Sequence, residues 1–199
     1  MNKYKINYTL DNIWIFNSFF SDEEFNKIIN ITKKLNLYQD SRSNNRLFSC
    51  IDNIKYKELY DLIYKNKKLI NIINSIKKSN YIIKDMPSLP IEYRKYFTGS
   101  KGLDWHIDTS LFEPDAFEIV LTLNNSSDSH FEWIAHNTVN SISPQVNDLV
   151  IVRPSSVLHR VSPINTGERI ILKFVVEFLD NNKNMKKKEF FDELNKCKF

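Results

Sequence analysis

The chain has 199 residues, of which 42 % are hydrophobic and 26 % charged, with a formal net charge of +4. That size and balance suit one globular domain spanning residues 1–199 and argue against disorder. The positive excess is scattered rather than gathered into a stripe, so there is no clear nucleic-acid footprint, and no apolar run is long enough to span a membrane. The opening residues, MNKYKINYTLDN, are polar and lack the apolar core of a signal peptide, so a cytoplasmic protein is expected.

An apolar stretch, 13–20, leads to Ser21-Asp22-Glu23-Glu24, a capping box that should start a helix. Phe25, Ile28, Ile29, Thr32 and Leu35 then share one helical face. Cys50 is expected to be semi-buried. With Cys197 it forms neither a disulfide framework nor a CxxC motif, and Cys197 is expected to be free. A second helical region runs over 56–78, with Asn66 placed to break it in two. These helices, mainly within 20–80, read as cover for a sheet.

From residue 81 the pattern changes. Short β-rich runs occupy 90–97, 103–108, 117–124, 131–134, 148–153, 157–161 and 169–178. Turn signals separate them, among them Gly99, Gly102 and Asn165-Thr166-Gly167. Many short strands with close turns predict a sandwich or jelly roll over about 81–180. The tail beyond 180 is rich in Asn and Lys, and its Phe190, Phe191 and Leu194 predict a short docked helix.

Strand alternation puts His106 and Asp108 on one face and Ile107 on the other. An imidazole and a carboxylate so placed are two of the three ligands in a 2-His-1-carboxylate site, which leaves positions open on non-heme Fe(II). The third candidate is His159, in the run Pro154-Ser155-Ser156-Val157-Leu158-His159-Arg160-Val161-Ser162-Pro163. Arg169 follows after a turn. It lies on one strand face with Ile171 and Lys173, opposite Ile170, Leu172, Phe174, Val176 and Phe178. An arginine aimed into an otherwise apolar barrel needs an anion, and a carboxylate can meet it bidentately. The other two histidines, His130 and His136, read as surface residues.

The run 154–163 with Gly167 and Arg169, and Tyr96-Phe97-Thr98-Gly99 followed by His106 and Asp108, resemble the Fe(II)/2-oxoglutarate dioxygenase superfamily. The match is nearest to its prolyl-4-hydroxylase and PKHD-type branch, and the motifs lie within 90–180. The resemblance implies an α+β fold: a double-stranded β-helix (jelly-roll) core with flanking N-terminal helices. It implies His106, Asp108 and His159 as iron ligands, Arg169 on the distal carboxylate of 2-oxoglutarate, and Tyr96 and Thr122 lining the co-substrate pocket. Fe(II), 2-oxoglutarate and O2 are the expected cofactors, with ascorbate as an optional accessory. The sequence departs from the branch at Ser129-His130-Phe131-Glu132-Trp133, where relatives commonly carry Gly-Gly.

Three functional readings follow. The first is hydroxylation of a peptidyl prolyl or lysyl side chain, with Trp105, Trp133, Arg153 and Arg160 as candidate groove residues. The second is the same chemistry on a small molecule or nucleic-acid base. The third is a non-catalytic metal-binding jelly roll. Oligomeric state and the roles of His130, Arg153 and Lys173 are not legible.

Overall fold

The computed structural model describes residues 6–10, 12–41, 43–78, 80–110, 112 and 116–179. The expected tail helix and Cys197 lie outside them. Among the described residues, twelve strands and three helices run in the order β1 (Ile6–Leu10), β2 (Ile13–Phe16), α1 (Asp22–Thr32), β3 (Tyr38–Gln39), β4 (Arg46–Ile51), α2 (Lys57–Tyr64), α3 (Lys67–Lys77), β5 (Ile91–Phe97), β6 (Leu103–His106), β7 (Phe117–Asn125), β8 (Phe131–Ala135), β9 (Thr138–Ile142), β10 (Leu149–Val152), β11 (His159–Val161) and β12 (Glu168–Val176).

An eight-stranded sheet has the order β1-β2-β10-β7-β12-β5-β4-β3, and a four-stranded sheet the order β6-β11-β8-β9. The named strand pairs are antiparallel. The two sheets form the expected jelly roll, and α1–α3 cover the outer face of the larger one.

Side-chain alternation explains this layering. Along β12, Leu172, Phe174 and Val176 join Ile28, Leu59, Ile63 and Ile73 of the helices in the main core. Along β2 and β10, Ile13, Ile15, Val150 and Val152 point the other way and pack on Phe131, Trp133 and Val157 from the smaller sheet's side. The face of the larger sheet that carries Arg169 therefore looks between the sheets.

The capping box forms as expected: Glu24 N donates to Ser21 Oγ at 3.3 Å and Ser21 N donates to Glu24 Oε2 at 3.0 Å. Replacing Ser21 by Ala is expected to cost about 1 kcal/mol, a Tm loss of roughly 2–4 °C for a chain of this size. Thermal denaturation measures it, and an unchanged Tm would show that the cap contributes nothing. Asn66 does break the second helical region, capping α3 by accepting from Lys68 N and Leu69 N.

Two expectations need correction. The first half is not only helical: β1–β4 all enter the larger sheet, and the apolar stretch 13–20 begins with an inner strand. Cys50 is half-buried as expected, but it is disulfide-bonded. A lone cysteine in a strand-like run carries no sequence signal of its pairing state. Among the described residues, no helix is long and apolar enough to cross a membrane.

Candidate metal centre

The smaller sheet brings His106 and His159 together. β6 and β11 pair antiparallel, and these two residues are direct cross-strand partners with ring centroids 4.3 Å apart. The chain approaches this pairing through Gly102, at φ +71°. A Cβ there would lie 2.2 Å from the Val161 carbonyl oxygen, so only glycine lets the loop come so close to β11.

Asp108 follows β6 and is held by the turn before β11. Ser155 N donates to the Asp108 carbonyl at 2.7 Å, and Ser110 N donates to Ser155 Oγ at 3.1 Å. The Pro154-Ser155-Ser156 turn is therefore a clamp on the segment carrying the carboxylate. Asp108 Oδ1 lies 3.4 Å from His106 Nε2, and Oδ2 lies 3.4 Å from His159 Nε2.

Hydrogen bonding fixes which ring nitrogens face inward. His106 Nδ1 lies 2.7 Å from the Asp104 carbonyl and His159 Nδ1 lies 3.1 Å from the Val157 carbonyl. A carbonyl only accepts, so each Nδ1 carries the proton and each Nε2 turns a lone pair toward Asp108. Three donor atoms of the set lie within 4.8 Å of one another, and Asp108 Oδ2 is buried with no hydrogen-bond partner. Converging lone pairs and a carboxylate call for a cation between them, so the residues fit a 2-His-1-carboxylate metal. The electrostatics agree. The Asp108 carboxylate, able to accept a hydrogen bond from a protonated His106 ring, raises the His106 pKa above its ordinary value. Burial pushes Asp108 up, but His106 and the charge of Lys173 bring it below the usual carboxylate range.

Arg169 shares a cavity of about 750 Å3 with the triad. It is only 4 % exposed, its Nε has no hydrogen-bond partner, and no described carboxylate forms an ion pair with it. Burial pulls its pKa down, with Tyr96 the partial offset. Tyr96 is its register partner on β5, and Arg46 is the partner of Tyr96 on β4. Burial pushes the Tyr96 phenol up, but Arg94, Arg46 and Arg169 around it outweigh that and lower it. Arg46 and Arg94 each have a carboxylate, Asp40 and Glu92. Arg169 alone of the three fits a missing anion.

The sequence reading placed His106, Asp108, His159, Arg169 and Tyr96 on this cavity, and all five line it. Thr122 does not: it is fully buried beside Ile171, its hydroxyl without a partner. Beyond Arg169 the cavity wall is charged, not apolar as expected. Lys173 pairs with Glu118 at 2.9 Å and Arg94 with Glu92. Arg94 had a readable signal, because it alternates with Tyr96 on one strand face. Arg46 had none, because β4 was not foreseen.

None of the four candidate groove residues lines the cavity. Trp133 is buried in the inter-sheet core. Arg160 stacks on Trp105 and pairs with Glu132 on the smaller sheet, and Arg153 lies over Trp14 and Phe117. His130 and His136 are exposed.

A jelly roll with two histidines and one aspartate converging between its sheets has the donor set of a metal-binding jelly roll. Its fold is that of the 2OG-Fe(II) oxygenases. An oxidoreductase of that family from Burkholderia pseudomallei superposes with TM-score 0.69 at 12 % identity, over 87 % of this chain and 88 % of that one. HygX from Streptomyces hygroscopicus, solved with nickel, 2-oxoglutarate and hygromycin B bound, gives 0.67 at 8 %, over 92 % and 89 %. A prolyl-4-hydroxylase from Pseudomonas putida gives 0.61 at 14 %, over 84 % and 92 %. No family model and no curated protein sequence matches the chain.

Proposed function

We propose that this chain is an Fe(II)- and 2-oxoglutarate-dependent oxygenase that hydroxylates a C–H bond. One observation carries the reading: a metal-fit triad and a buried arginine without an anion face the same cavity. His106, Asp108 and His159 hold the metal from one side and leave the other open. Arg169 takes the distal carboxylate of 2-oxoglutarate, with Tyr96 beside it. The bound metal supplies the oxidative chemistry, in which 2-oxoglutarate, O2 and R–H become succinate, CO2 and R–OH. The surrounding valines, Ile164, Ile171 and Phe131 keep bulk water from the reacting centre.

The motif resemblance names a peptidyl prolyl or lysyl side chain as substrate. The charged inner wall favours a second reading, the same chemistry on a small polar molecule. HygX, solved with hygromycin B, and the P. putida prolyl-4-hydroxylase have the same fold, so the fold does not choose between them.

The test is anaerobic titration of the protein with Fe(II) and 2-oxoglutarate. The expected result is a weak visible charge-transfer band that disappears in Asp108→Ala. A well-folded protein that gives no band would leave the non-catalytic jelly roll as the better reading.

A further inference from the structure

Two ion pairs stand on the inner face of the larger sheet, where alternation would ordinarily place apolar side chains. Lys173 on β12 pairs with Glu118 on β7, and Arg94 on β5 pairs with Glu92. They form one patch, because Lys173 is the register partner of Glu92 and Ile171 that of Arg94. Lys173, Glu118 and Arg94 line the same cavity as the triad. Burial works against the Lys173 ammonium, but Glu118, Glu92 and Asp108 around it hold it charged.

Burying ions that are paired only with each other gains little over apolar packing. Such a wall is useful when something in the cavity is recognised by it. A neutral ring laid on it would strip water from both pairs and return nothing. Net charge points the same way. Within the patch the charges cancel, so the wall selects neither a cation nor an anion outright. It suits a molecule that carries both signs, with a carboxylate for Lys173 or Arg94 and an ammonium for Glu118. The cavity volume is in the range of small-ligand sites, with room for a five-carbon dicarboxylate and a second small molecule.

Resting on the oxygenase reading, we infer that the substrate is a small zwitterion of the free amino-acid class, held by the Glu118–Lys173 pair beside the metal. A prolyl residue within a peptide has neither charge.

The experiment uses the full chain loaded with Fe(II) and 2-oxoglutarate. The twenty proteinogenic L-amino acids are offered singly, beside a Pro-containing and a Lys-containing peptide with blocked ends. Anaerobically, the readout is a shift of the charge-transfer band on substrate addition; with O2 it is succinate formed. At least one free amino acid is expected to shift the band and to raise succinate formation about tenfold over the substrate-free rate. Acetylating its amine, or amidating its carboxylate, is expected to weaken binding roughly tenfold or more, the scale of one lost charge-assisted hydrogen bond.

Glu118→Gln is expected to weaken that amino acid similarly while 2-oxoglutarate binding stays within about twofold. The swap Glu118→Lys with Lys173→Glu restores a pair and serves if the single variant does not fold. Response to the blocked peptides alone, equal binding of the blocked amino acid, or no response to any amino acid overturns the inference. A normal charge-transfer band in those cases leaves the oxygenase reading standing; absence of the band itself removes both.

Discussion

Replacing His159 by Ala is expected to abolish tight metal binding and, with it, turnover of 2-oxoglutarate. The loss should exceed the roughly 10–100-fold that removal of an outer hydrogen bond to a metal ligand costs, because a ligand itself is gone. The fold should survive. His159 is a small part of the inter-sheet packing, touching Phe131 at 5.6 Å between ring centroids, so a stability cost of about 1–2 kcal/mol is expected for the metal-free protein. Thermal denaturation with and without Fe(II) or Mn(II) separates the two effects. Metal at 100 times its dissociation constant should stabilise the native chain by about 2.7 kcal/mol and the variant not at all. A variant that keeps the metal-induced rise in Tm would remove His159 from the site.

The convergence of these side chains was legible in the sequence because much of its logic is local. His106 and Asp108 are two residues apart on one strand face, and the turn that clamps Asp108 is written out as Pro154-Ser155-Ser156. The outer hydrogen bonds were not legible. They go to the carbonyls of Asp104 and Val157, and a carbonyl has no side-chain signature.

The fold divided along similar lines. β5, β7 and β12 were readable from alternation bounded by turns. β2 was not, because Ile13-Trp14-Ile15-Phe16 is apolar on both faces, and periodicity cannot separate such a run from the start of a helix. β9 was missed for the opposite reason. Thr138-Val139-Asn140-Ser141-Ile142 is an edge strand at the open side of the smaller sheet and reads as loop. The charged wall was hidden because Glu118 and Lys173 lie far apart in sequence, and each alone looks like a solvated residue. Only the pairing of β7 with β12 shows that they share the inside of the barrel.

Arg169→Met should separate co-substrate binding from stability, with the two effects opposite in sign. The guanidinium is buried, its Nε lacks a partner, and no described carboxylate pairs with it. In the ligand-free protein it bears the desolvation cost of a charge that Tyr96 offsets only in part. Methionine fills much of the same space without that cost, so the ligand-free variant should melt at or above the temperature of the native chain.

Binding of 2-oxoglutarate should move the other way. Losing one partner of a buried, hydrogen-bonded charge pair costs about 3–5 kcal/mol, which corresponds to a 2-oxoglutarate requirement raised on the order of 100- to 1,000-fold or more. The triad does not touch Arg169 through any hydrogen bond, so Fe(II) affinity measured without 2-oxoglutarate should be nearly unchanged. Anaerobic titration of the charge-transfer band gives the first quantity and metal-dependent Tm the second. A variant that loses several degrees of Tm while binding 2-oxoglutarate normally would make Arg169 a structural residue, and the missing anion would then have to be sought inside the protein. The predicted pattern, a protein made no less stable by deleting its buried charge yet unable to hold the dicarboxylate, is what a site kept at the expense of stability must show.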